Sequence, residues 1–482
     1  MRRLHIVVSI FALFACAKGT AAEQAEEIAT DGGTTPVDAG RGDAASGDAS
    51  TDADGAPGCD PGMGLVCGRA AGGVTCAAST GSSYQALGAW QTMLFNDATS
   101  WGTSPAYFST LQYPDVDGDG KDDVCARGAP GVVCARSTGT TFDGFAVWQA
   151  AFADSEGWNS NAAYYGTIQF PDVNGDGKAD VCGRGVGGVA CAPSTGTSFG
   201  PIGAWQTSLF GDALGWAASP AAYATVQFPD VNGDGKADVC GRATGGILCA
   251  LSSGTSFGVT TEWIADYSDG RGWAVGPAYY ATIQFPDVNG DGKADVCGRG
   301  IAGVLCSISS GSAFGAIAAW TLDAFSDAAG WNAGPAYYAT IQFPDVNGDG
   351  KADVCGRGVN GVACALSSGT GFGGATVWSS ELSDAQGWSA DRAYYGTIQF
   401  PDVNGDGKAD VCGRGPQGIG CAISSGTSFG PFTPTSAALS DANGWKAAAS
   451  ASTIRFPRVA RGDCRPSRAA TPLPSPAMRF GL

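Results

Sequence analysis

The chain has 482 residues, 44% of them hydrophobic, with 76 Gly, 17 Cys, one His and a formal net charge of −18 at pH 7. That length would hold two or three ordinary domains, and the acidity argues against a nucleic-acid partner, because phosphate binding needs a basic face. The one histidine, His5, lies in an N-terminal targeting segment, so Ser-His-Asp and Cys-His catalysis and His-containing zinc sites are excluded from a processed chain.

Arg2 and Arg3 precede the apolar run Leu4 to Ala15, a secretion signal too short to span a bilayer. Residues 1–16 end in Leu13-Phe14-Ala15-Cys16, which resembles a bacterial lipoprotein cleavage box and makes Cys16 the expected lipidation site. The alternative is ordinary cleavage near Ala22 and free secretion. Residues 17–58, rich in Ala, Gly, Thr and Asp, cannot bury enough surface to offset their ordering entropy and read as a disordered linker.

From residue 59 to residue 464 the chain repeats. DVNGDGKADVCGRG at Asp172 has close copies starting at Asp115, Asp230, Asp287, Asp345 and Asp402, spaced 57 or 58 residues apart. A period of that length marks one supersecondary unit used several times. Within each copy, oxygen ligands at positions 1, 3, 5 and 9 and a carbonyl at position 7 suit a hard cation that takes six or more oxygens. The expected calcium ligands are Asp115, Asp117, Asp119, Lys121 and Asp123, then Asp172, Asn174, Asp176, Lys178 and Asp180, then Asp230, Asn232, Asp234, Lys236 and Asp238. The later loops supply Asp287, Asn289, Asp291, Lys293 and Asp295, then Asp345, Asn347, Asp349, Lys351 and Asp353, then Asp402, Asn404, Asp406, Lys408 and Asp410. Each Lys contributes its carbonyl only.

The loops also account for the charge. Five loops with three Asp each, five Asp in the first, and one Lys apiece leave a net −14, which about six Ca²⁺ would nearly cancel.

In the copy from Thr167 to Trp216, a strand TIQF leads through the loop into a second strand, ADVCGRG, then a tight turn and a third strand, GVACAPSTG. Trp205, Phe210, Asp212, Gly215-Trp216 and Tyr223 fall in a fourth strand and a long connection. Four strands per 57 or 58 residues are the content of a propeller blade.

Cysteines stand in seven evenly spaced pairs: Cys67-Cys76, Cys125-Cys134, Cys182-Cys191, Cys240-Cys249, Cys297-Cys306, Cys355-Cys364 and Cys412-Cys421. Residues facing each other in an antiparallel hairpin have a constant index sum, and Cys182 with Cys191 shares the sum 373 with Arg184 and Val189. A cross-strand disulfide is expected in an exported protein, with buried free thiols as the alternative.

All 13 Trp are periodic, six heading the fourth-strand region from Trp90 to Trp378 and seven in a later series from Trp101 to Trp445. Repetition argues mainly for packing, as it does for the seven VCGR-type arginines. Aromatics on connections between blades also stack on sugars, so Trp158, Tyr165, Trp216, Tyr223, Trp273, Tyr280, Trp331 and Tyr338 are the candidate ligand-binding residues.

Seven second strands and seven first strands are present but offset, because repeat one lacks a first strand and Thr453 to Phe456 has no second strand after it. Pairing those two ends gives a seventh, shared blade. In its loop Arg458, Ala460, Gly462 and Leu65 replace the ligands, while Cys59 and Cys464 lie in the two halves, so a Cys59-Cys464 disulfide is expected where the other blades hold an ion. Arg461-Gly462-Asp463 reads as an accidental tripeptide, and residues 465–482 as a disordered, basic, Pro-rich tail.

DxNGDGxxD followed by a strand, a Gly turn and Ser424 to Gly430 (SSGTSFG) resembles the FG-GAP or VCBS repeats of integrin alpha chains. The layout is also similar to fungal integrin-like seven-bladed lectins, whose pattern lacks the Cys pairs. The resemblance implies an all-β, seven-bladed β-propeller of four-stranded blades with calcium loops between first and second strands, and from the lectins, binding of N-acetylglucosamine-type sugars between blades. The expectation is a monomeric, non-enzymatic, calcium-binding recognition module that takes glycans or cell-surface proteins as partners. It is exported, as an outer-membrane or cell-surface lipoprotein or in secreted form. The alternative is an adhesion scaffold in which calcium is purely structural. A hydrolase is disfavoured because the clustered carboxylates are committed to the loops.

Overall fold

The computed structural model describes residues 64–458 except 92–93, 203–204 and 206–207. The leader with Cys16, the linker, the Cys59-Cys464 pair, residues 461–463 and the tail lie outside the described residues.

Among the described residues seven antiparallel hairpins recur: 65–78, 124–137, 181–192, 239–250, 296–307, 354–365 and 411–422. We number the repeats one to seven by these hairpins. A third strand joins six of them, at Gly88–Gln91, Phe142–Gln149, Thr261–Ile264, Ala318–Ala319, Thr376–Ser379 and Thr433–Ser436, giving a set of small separate sheets. The hairpins form because valine and cysteine alternate with small residues, and a two-residue turn returns the chain. In repeat six that turn ends at Gly361, with φ +119°, where a side chain would collide with the Ser379 carbonyl.

Register follows the index sum: Cys182 faces Cys191 and Arg184 faces Val189. All seven cysteine pairs are disulfide-bonded across their hairpins, with Cα atoms 4.1 or 4.2 Å apart. Each closes a short loop and contributes about 2–3 kcal/mol on the entropic model. Seven such bonds belong to an exported protein. No helix among the described residues is long and apolar enough to cross a membrane.

The expected first strand is reduced to one bridge per repeat. Gln169 and Cys182 exchange both backbone hydrogen bonds, at 2.9 Å each. Below them Asp180 N–H reaches the Pro171 carbonyl, and above them Arg184 N–H reaches Thr167 Oγ1 instead of a backbone oxygen. Pro171 has no N–H to donate, and Thr167 has just left a helical turn, so regular pairing cannot extend either way. The same pattern joins the chain ends, where Cys67 pairs with Arg455, Leu65 N–H meets the Pro457 carbonyl, and Arg69 N–H meets Thr453 Oγ1.

The long connection contains a four-residue α-helix in each repeat that the sequence reading did not anticipate, such as Pro220–Tyr223, capped by Ser219. It precedes the bridge segment and places the Tyr-Tyr pairs.

Core side chains sit between successive repeats. Seven buried clusters occur among the described residues, one of which takes Cys134, Trp148, Phe152 and Trp158 from repeat two with Val181 and Ala192 from repeat three. Another joins Val66, Ala77 and Tyr84 of repeat one to Cys412, Cys421 and Trp445 of repeat seven.

Candidate functional site: the acidic loops and the cleft between repeats

Each acidic loop is wound around its first aspartate. Asp172 Oδ1 accepts from Gly175 N–H at 2.7 Å and Oδ2 from Gly177 N–H at 2.8 Å, while Asn174 and Asp176 accept from N–H groups two residues on. Gly175 and Gly177 have φ of +77° and +83°, which a side chain would strain. The ninth residue, Asp180, is fully buried and accepts from Val173 and Ser194 N–H, and Ser194 Oγ in turn donates to the Val116 carbonyl of the preceding loop. Each loop is thereby tied to its neighbour.

These carboxyls are strained toward neutrality. Burial pushes Asp123 up to about 8, Asp180, Asp238, Asp295 and Asp353 to about 7, and Asp410 to about 6, against the opposing pull of backbone N–H bonds. Burial raises Asp115, Asp117 and Asp172 as well, with neighbouring carboxylates adding to it. In the first loop, carboxylate oxygens of Asp115, Asp117 and Asp123 lie within 4.8 Å of one another. An all-oxygen donor set, desolvated and self-repelling, fits a hard divalent cation. The position-seven lysines turn their side chains to the carboxylate of the fifth residue, as in Lys178 Nζ to Asp176 Oδ2 at 2.9 Å.

A second constellation recurs at the other end of each repeat. The VCGR-type arginine is fully buried, with Arg184 Nε donating to the Phe210 carbonyl, Nη1 to the Ala163 carbonyl and Nη2 pairing with Asp212. Tyr164 Oη also donates to Asp212, and the guanidinium lies 5.6 Å from the Tyr164 ring centroid. Burial pulls Arg127 down to about 10, still charged at neutral pH. In sequence this aspartate is placed in the long connection without a role, although an Asp stands four residues before the Trp in all seven repeats, from Asp97 to Asp441.

The later Trp series packs onto the glycines of the next hairpin. Trp158, Trp216, Trp273 and Trp331 are between 3% and 8% exposed, and a Cβ built on Gly183, Gly241, Gly298 or Gly356 would press on the indole. Trp331 additionally lines a cleft of about 230 Å³ between repeats five and six, with Tyr337, Asn360, Ala363 and Val377. The tyrosine at this cleft is Tyr337, the first of its pair, rather than Tyr338. Tyr165, Tyr223, Tyr280 and Tyr338 sit half-buried on the short helices, with burial raising each phenol. In sequence nothing separates the two tyrosines of a pair; the helix does, by turning the first toward the next repeat's aspartate.

No family model and no curated protein matches the chain, so the resemblance to FG-GAP or VCBS repeats rests on the loop motif and the segments that follow it. Among solved structures the chain is similar to an Agrocybe aegerita lectin described for its specific recognition of non-reducing terminal N-acetylglucosamine. The identity is 25%, the TM-score 0.68, and the match covers 82% of this chain and 95% of that one. Weaker likenesses are to a Photorhabdus luminescens Tc holotoxin pore (18% identity, TM-score 0.41, 64% of this chain and 13% of that) and a putative Bacteroides uniformis 6-phosphogluconolactonase (11%, 0.42, 78% and 96%), and these carry no argument. The chain is thus all-β, built from repeated small antiparallel sheets, with a lectin as its structural neighbour.

Proposed function

We propose that this protein is a closed, seven-bladed, calcium-stabilised propeller that binds carbohydrate outside the cell and catalyses no reaction. The observation that carries the reading is the likeness to a sugar-recognising lectin along nearly that protein's whole length. The cleft lined by Trp331 and Tyr337 supports it, because an aromatic face beside an exposed amide such as Asn360 suits a sugar ring with polar edges. Closure is supported by the bridge between Cys67 and Arg455 and by the cluster shared between repeats one and seven.

Calcium, when bound, supplies fixed positive charge that the buried carboxylates need. The ligands in each loop are the side chains at positions 1, 3, 5 and 9 and the lysine carbonyl at position 7, as from Asp172 to Asp180. These residues hold the loop between the bridge segment and the hairpin, so that its role is to clamp the strand connection and not to touch sugar. The test is a glycan array run with and without EDTA. Binding to glycans ending in N-acetylglucosamine is expected; a blank array beside capture of a defined protein partner would reverse the reading in favour of a scaffold.

A further inference from the structure

One side chain links each bridge segment to that of the next repeat, and the link changes where the two ends of the chain meet. Gln112 Nε2 donates to the Ile168 carbonyl, Gln169 Nε2 to the Val226 carbonyl, and the series runs on to Gln399, which donates to the Ile454 carbonyl, every bond lying between 2.8 and 3.0 Å. The next member is Arg455. The pattern points its side chain to the Leu111 carbonyl of repeat two, but Nη1 turns back on its own segment and donates to the Ser452 and Ile454 carbonyls, at 2.9 and 2.7 Å. Arg455 Nη2 is buried and has no hydrogen-bond partner among the described residues.

A second departure from the repeat stands beside it. The residue after the glutamine or arginine is phenylalanine from Phe170 to Phe456 but tyrosine at Tyr113. The Tyr113 ring keeps the phenylalanine's packing, 6.2 Å from Phe142 as Phe170 is 6.1 Å from Phe199, so the hydroxyl is the only addition. That hydroxyl is also buried without a partner. The two groups act on each other: burial pushes the Tyr113 phenol up while the Arg455 charge pulls it down, and burial lowers Arg455 to about 10, still charged at neutral pH.

Charge accounting separates this arginine from the other buried ones. Each of the seven VCGR-type arginines pairs with an aspartate, whereas Arg455 has no carboxylate partner among the described residues. A desolvated cation without a counter-charge is costly. We propose that Arg455 Nη2 and Tyr113 Oη bind a small monovalent anion of halide type at the junction of repeats one and two, where its charge helps to hold the C-terminal segment in place. One cation and two kinds of donor match a single negative charge, and a phosphate group would call for a larger set of donors.

The experiment uses bromide as the probe. Crystals of the full chain soaked in sodium bromide, with anomalous scattering recorded at the bromine edge, should show one bromide within hydrogen-bond reach of both atoms. In solution, at fixed calcium and ionic strength, exchanging methanesulfonate for bromide should raise the thermal midpoint of the wild-type chain, relative to Arg455→Gln, to a plateau. Arg455→Gln and Tyr113→Phe each restore the residue of the other repeats, and circular dichroism checks that they fold. Arg455→Gln should remove both the peak and the plateau, and Tyr113→Phe should raise the bromide concentration at half-effect about tenfold. An ordered water and no bromide between the two atoms of the wild-type chain overturns the inference, whether or not the variants fold. A bromide response of equal size in folded Arg455→Gln overturns it as well.

Discussion

The five junctions between acidic loops and the one that joins the first loop to the chain's C-terminal segment use the same backbone geometry with opposite charge logic. At the five, the N–H of an alanine at position 8 donates to the carbonyl of the preceding loop's first aspartate, as from Ala179 to Asp115 and from Ala409 to Asp345, each at 2.8 Å. At the sixth, Asp122 replaces alanine and Arg458 replaces aspartate. Asp122 N–H donates to the Arg458 carbonyl at 3.1 Å, and the Asp122 carboxylate accepts the Arg458 N–H at 2.7 Å. Leu65, 2% exposed, fills the place of the buried ninth aspartate. At this junction, then, a private Asp-Arg pair and an apolar side chain stand where the regular loops place alanine, aspartate and a buried carboxylate. The difference separates what the backbone needs from what the ion would add.

The comparison breaks most severely if a buried arginine is removed. Arg184→Ala leaves Asp212 and two carbonyls without their cation and should cost about 3–5 kcal/mol in denaturant unfolding. At the chain-end junction Arg69 Nη1 donates to the Ala449 carbonyl and Ser450 stands where most repeats have a phenol, so Arg69→Ala should cost less by the missing cation-π share, about 0.5–1 kcal/mol. Replacing Cys182 and Cys191 together by alanine should lower stability by about 2–3 kcal/mol, with similar losses at the other six hairpins because the closed loops are nearly the same length.

Asp122→Ala restores the residue of the regular loops but strands Arg458, and should cost about 1.5–3 kcal/mol, the worth of a hydrogen bond to a charged group. Amide exchange checks it locally: protection of Leu65, Cys67 and Arg455 should fall while that of Cys182 stays. The smallest effect is on pH. Burial raises the Asp384 carboxyl, but bonds from Tyr337 and Arg357 outweigh it, and Asp441 is held low in the same way by Tyr394 and Arg414. Both titrate below the unfolded value of about 3.9, so the folded chain binds fewer protons there. Their stabilisation is present above about pH 4 and is lost as pH falls through the folded values. A melt series from pH 6 to pH 2.5 in Tyr337→Phe should show a shallower acid limb than wild type.

The hairpins were legible because a period of two and a fixed index sum leave one register for Cys182 and Cys191. The offset of the chain ends was legible for the same reason, as a count of segments. The short helices were not, since four residues are too few to show a 3.6-residue period, although Ser104-Pro105 and Ser219-Pro220 carry the cap-then-proline signal. TIQF looked like a full strand because its composition is right, while the Pro171 that ends its pairing lies just beyond it.

Calcium content tests the central comparison most directly. Metal analysis of the purified full chain after dialysis against calcium and then metal-free buffer, paired with thermal melts in calcium and in EDTA, should give about six ions per chain and a clear fall in midpoint on chelation. Fewer than one ion per chain with an unchanged midpoint would contradict the account, and seven would show that the loop begun by Arg458 binds an ion after all.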